Sequence, residues 1–69
     1  METLKINGVE KKFPDALPAT VADLLEQMGI DAATVVAEID GQIVERKKFA
    51  RTQLHKGQTI ELVRFVPGG

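Results

Sequence analysis

Only one stretch of this chain carries helical periodicity, and it lies between two turn dipeptides, Asn7-Gly8 and Asp40-Gly41, each set inside apolar, strand-prone runs. Val21, Leu24, Leu25 and Met28 recur at i, i+3, i+4 and i+7, which predicts one amphipathic helix with Asp23, Glu26 and Gln27 toward water. Thr20 offers an N-cap hydroxyl, Asp23 favours the positive end of the helix dipole, and Gly29 stands where a left-handed C-terminal cap is expected. Met28 is assigned to the core, as a flexible side chain that fills gaps.

The turns place the strands. Asn-Gly favours a two-residue loop with positive φ, so the run from Thr3 to Phe13 predicts a hairpin with Ile6 opposite Val9 and Leu4 opposite Lys11. Asp40-Gly41 predicts a second, shorter hairpin in which Val35, Ala37 and Ile39 share a face, with Ile43 and Val44 returning. Arg46 to Gln53 has no clean period and is expected as an irregular segment pinned by Phe49 and Leu54. His55-Lys56-Gly57 then reads as a turn before a last strand, Thr59 to Val66. A helix after a first hairpin crosses one sheet face and lets a later strand return parallel beside the first. The expected fold class is therefore α+β: a β-grasp, with a mixed sheet of four to five strands and one main helix packed across one face. A ferredoxin-like arrangement would need a second helix, which Arg46 to Gln53 does not promise.

Composition narrows the rest. Sixty-nine residues allow one small core and no second domain, expected as a body over residues 1–66 and a flexible tail over 67–69. No Cys and one His exclude a disulfide framework and a zinc site of Cys and His type within the chain. A net charge of -1 and three Phe without Trp or Tyr argue against nucleic acid. The apolar runs are too short for a bilayer span or a signal peptide, so a cytoplasmic protein is expected.

Two features remain without a structural use. In the last strand Ile60 and Leu62 share one parity and Val63 and Phe65 the other, yet a single helix covers one face only, so Val63 and Phe65 should be partly exposed as a docking surface. Beyond them, Gly68 and Gly69 have no β-carbon to obstruct a narrow channel, and the stretch from Val66 reaches ~13 Å from the sheet at ~3.3 to 3.6 Å per residue. The tail presents a carboxylate and the patch anchors it. Other candidates are weaker: His55 is a lone turn histidine, Asp31, Glu38, Asp40 and Glu45 are hairpin-end carboxylates without metal-completing partners, and Arg46, Lys47 and Lys48 form a basic run that is either solvated or steers an acidic partner.

Across nearly its whole length the chain resembles the ThiS/MoaD family of ubiquitin-like sulfur carriers. The resemblance rests on Ile6-Asn7-Gly8, on Thr20 to Leu25, on the Val44 hairpin, and most specifically on Ile60 to Val66 before Gly68-Gly69. Pro67, Asp40 and Glu45 depart from residues common in the thiamine carriers. The resemblance implies a protein co-substrate and not an enzyme. Its Gly69 carboxylate would be adenylated by an E1-like (ThiF-like) adenylyltransferase using ATP and Mg2+, converted to a thiocarboxylate, and spent as a sulfur donor to a thiazole synthase (ThiG-like) or another sulfur-accepting enzyme. The implied site is Gly69, with Pro67 and Gly68 as tail and Val63, Phe65 and Val66 as docking residues; no catalytic residue, bound cofactor or metal is implied. Alternatives within the same resemblance are a carrier for molybdopterin or cysteine synthesis and a ubiquitin-like protein modifier. A plain β-grasp interaction domain with an incidental Gly-Gly stands outside it.

Overall fold

A computed structural model describes residues 2–65. The strands are β1 (Glu2–Ile6), β2 (Val9–Phe13), β3 (Val35–Ile39), β4 (Gln42–Val44) and β5 (Thr59–Arg64), with one helix, α1 (Val21–Gln27). They form one mixed sheet in the order β2-β1-β5-β3-β4, in which β5 runs parallel to β1 and antiparallel to β3. This is the expected β-grasp, with all five strands present. The boundary expected between residues 66 and 67 lies outside the described residues.

Local chemistry explains the elements. Asn7 and Gly8 have φ of 50° and 82°, and Asp40 and Gly41 have 49° and 85°, so both hairpins close through turns with positive φ at both central residues. The first pairs Ile6 with Val9 and Leu4 with Lys11, the expected register. Thr20 caps α1 by accepting the Asp23 N–H at 3.2 Å. At the other end, Gly29 at φ 69° lets its own N–H reach the Glu26 carbonyl and lets the Ile30 N–H reach the Leu25 carbonyl, the paired bonds of a Schellman cap.

The core lies between α1 and one sheet face. Leu4, Leu24, Leu25, Ile60 and Val21 are its largest fully buried side chains, with Phe13, Val35, Ala37, Phe49, Leu54 and Leu62 around them. Met28 does not join them. It is the C-cap residue, 37% exposed, and with Val9, Lys11 and Lys12 it lines an open groove beside the first hairpin. The apolar period counts Met28 in, but the helix ends one residue earlier, and the side chain of this C-cap residue stays partly open to solvent.

The segment expected to be irregular is a 3₁₀ helix, Arg46–Arg51, and a shorter one spans Ala32–Thr34. Phe49 is buried from the first of these. The segment after it is sewn to the start of α1, since Val21 N–H donates to Thr52 O at 3.0 Å and Leu54 N–H to Ala19 O at 3.2 Å. Poor spacing for an α-helix thus coexists with firm anchoring, because a 3₁₀ turn needs only one inward side chain to be held.

At the second hairpin, Asp40 Oδ1 accepts the Thr59 N–H at 2.9 Å while the Asp40 N–H donates to Thr59 O at 2.8 Å. Only an acceptor is required of that side chain, and Asn supplies one too. In urea titrations Asp40→Asn is expected to change stability by less than ~0.5 kcal/mol, whereas Asp40→Ala, which loses the bond and strains a residue at positive φ, should cost about 1–3 kcal/mol.

Candidate functional site

β5 is the central strand, and its alternation divides the site. Ile60 and Leu62 face α1 and are buried, while Glu61 and Val63 face away. Phe65 comes just after the strand, its N–H donating to Thr34 O at 2.9 Å. Val63 and Phe65 are 57% and 46% exposed, as parity predicts. Residues 66–69, which include the docking candidate Val66 and the tail candidates Pro67, Gly68 and Gly69, lie outside the described residues.

The open face holds more apolar surface than β5 alone suggests. Val36 pairs directly with Val63, and Ile43 sits two residues along, on β4 opposite Glu38; Val36 and Ile43 are 40% and 70% exposed. A groove of about 400 Å³ runs beside them, lined by Val36, Ile43, Val44, Phe49 and Phe65, with the exposed Arg46 at it. The rest of this face is charged, with Glu38 paired to Glu61 and Lys5 to Glu10. Apolar surface is therefore gathered at the end of the sheet from which the chain leaves β5. Val36 and Ile43 were legible only in part: alternation in β3 turns Val36 away from Val35 and Ala37, but Ile43 needs the hairpin register to be placed beside it.

Of the remaining candidates, Glu45 and Arg46 line this groove. His55 lies in the turn before β5, exposed, with its N–H bonded to Gln58 Oε1 at 2.7 Å. Asp31 caps the Ala32–Thr34 turn by accepting the Ala33 N–H at 2.9 Å, and Asp40 holds Thr59. Glu45 is shared by Lys47 at 3.7 Å and Lys48 at 4.0 Å, exposed contacts of little energetic weight. Among the described residues no group of three His, Cys, Asp or Glu side chains is placed to hold a metal, and no helix is long and apolar enough to cross a membrane. The arrangement suits recognition: an apolar surface beside the end of β5.

Solved structures of known proteins share this fold. A model of the ThiS family matches residues 2–69. The crystal structure of a thiamine biosynthesis protein (ThiS) from Geobacter metallireducens superposes with a TM-score of 0.83 at 29% identity, covering 97% of this chain and 99% of that one. The solution structure of a thiamine biosynthesis protein from the same organism gives 0.78 at 29% identity, covering 97% and 87%. A thiazole synthase from Paramagnetospirillum magneticum is 35% identical over 66 residues; these are 96% of this chain but 20% of that protein, so the chain spans a fifth of its relative's length.

Proposed function

The chain belongs to the ThiS family, and from that membership we propose that it is a sulfur carrier for thiamine thiazole synthesis whose cargo rides on the Gly69 carboxylate. The observation that carries this reading is the extent of the family match, residues 2–69, which takes in Gly68 and Gly69. The protein acts as a co-substrate, its chemistry being performed by partners.

A carboxylate resists nucleophiles because its carbonyl carbon is electron-rich and its leaving group would be oxide. An E1-like enzyme using ATP and Mg2+ converts it to an acyl-adenylate, releasing pyrophosphate. A persulfide sulfur then attacks the carbonyl carbon and AMP leaves; a second thiol attacks the sulfur that remains with the enzyme, leaving a disulfide there and a thiocarboxylate on Gly69. Each partner must hold the tail in a narrow channel. Ordering those residues costs roughly 1–2 kcal/mol apiece, so the apolar end of the sheet, Val36, Ile43, Val63 and Phe65, with Val66 beyond it, supplies the anchoring contacts.

Thiazole synthase is the proposed acceptor enzyme. Support comes from the relative of that name, in which a segment similar to this chain makes up 20% of the length. Carrier and acceptor site joined in one chain meet at high effective concentration without any new contact.

Intact mass of the protein isolated from its own cells tests the reading. A fraction of the molecules is expected to end at Gly69 and to exceed the calculated mass by the difference between sulfur and oxygen. Chains that end at Gly69 but carry only oxygen, even when the thiazole pathway is induced, would overturn it, and isopeptide-linked lysines on other proteins would instead identify a protein modifier.

A further inference from the structure

At Asn7 the first strand turns out of the sheet, yet its side chain stays in. The backbone N–H of Asn7 donates to Ile60 O at 2.9 Å. Its carboxamide then reaches along β5, where Oδ1 accepts the Leu62 N–H at 2.7 Å and Nδ2 donates to Leu62 O at 3.2 Å. One amide thereby meets both backbone groups of one strand residue, the part a further residue of β1 would play.

Among the described residues, β5 beyond Leu62 is paired on one side only. Register between β1 and β5 consists of Lys5 with Thr59 and Ile6 with Ile60. Against β3 the pairing continues through Val63 with Val36 and Arg64 with Val35, and then through the Phe65 N–H to Thr34 O. Among the described residues, the Asn7 carboxamide is the last partner on the open side before the segment that carries Val63 and Phe65.

We infer that Asn7 is a positioning residue for the sulfur-charging reaction: by clamping Leu62 it sets the direction in which the chain leaves β5, and hence how the tail reaches the activating enzyme once the body has docked. This role rests on the protein being a sulfur carrier. The residue type fits the task, because Asn tolerates positive φ and carries a donor and an acceptor side by side on one carboxamide, matched to the N–H and C=O of a single backbone residue. Asp40, which holds Thr59 with an acceptor only, shows the lesser requirement at the opposite end of the same strand.

Asn7→Gly keeps the residue best suited to this turn and removes only the carboxamide. In ATP–pyrophosphate exchange by the E1-like enzyme of the same cells, run at varied carrier concentration, kcat is expected to fall about tenfold while KM stays within about twofold, since a misdirected tail costs reaction and not docking. Asn7→Asp, which keeps the acceptor and loses the donor, should lose about threefold in kcat, and it serves the same purpose if the glycine variant does not fold. Unchanged kcat, or a rise in KM with kcat intact, would overturn the assignment. Amide hydrogen exchange supplies an independent readout: in either variant the Phe65 N–H should exchange at least about fivefold faster while that of Lys5 is unaffected. Equal Phe65 rates in variant and wild type would overturn the positioning role. If the wild-type chain supports no pyrophosphate exchange at all, the sulfur-carrier reading fails by itself, and the amide rates still decide whether Asn7 holds the end of β5.

Discussion

Ile60→Ala is expected to lower the midpoint of thermal unfolding by roughly 10–25 °C and to leave much of the protein unfolded at 37 °C. Ile60 is fully buried on the central strand, where it pairs with Ile6 of β1 on one side and Ile39 of β3 on the other. Removing its outer carbons leaves a cavity under α1 that neighbours on two strands cannot close together, a loss of about 2–5 kcal/mol. A core in a chain this short rarely supplies more than about 3–5 kcal/mol in total, so one substitution consumes most of the margin. Circular dichroism on heating checks this directly. A shift of less than about 5 °C would mean that the helix and sheet repack around the gap, contrary to the close interdigitation seen here.

Phe65→Asp should leave the fold intact and raise the KM for the activating enzyme by roughly 30-fold or more. Phe65 lies past the end of β5 and is nearly half exposed, so the substitution removes little from the core. In a docked complex it would place a charge in a desolvated apolar contact. Val9→Asp is the matched control. Val9 is more exposed still, at 68%, and lies on β2 at the far edge of the sheet, so it should leave KM unchanged while adding the same charge. Equal effects of the two substitutions would assign the loss to net charge, and no effect from Phe65→Asp would remove the patch from the docking surface.

Much of this molecule is written in short-range signals. Asn7-Gly8 and Asp40-Gly41 specify their turns because few residue pairs accept positive φ twice, and those turns in turn specify which residues of each hairpin face each other. Thr20 and Gly29 bound the helix for equally local reasons. Local pattern and global position diverge at two residues. Met28 keeps the helical period but stands at the C-cap and stays partly exposed beside the first hairpin, and Phe49 is a single inward residue in a run whose spacing carries no period.

Parity along β5 was enough to expose Val63 and Phe65, because a strand has two faces and this chain has one long helix to cover them. It was not enough to bring Val36 and Ile43 beside them. That neighbourhood depends on the order of strands in the sheet, a choice made by packing of the whole.

Turns, caps, faces and the class of fold are settled by interactions that span two to five residues, which any stretch of chain makes with itself. The carboxamide of Asn7 on the backbone of Leu62 joins residues 55 apart, and the apolar end of the sheet is assembled from three strands drawn from different parts of the chain. Such contacts exist only after β5 has inserted between β1 and β3, because loop-closure entropy must be overcome before they can form. The role proposed for these residues thus depends on where the central strand comes to rest.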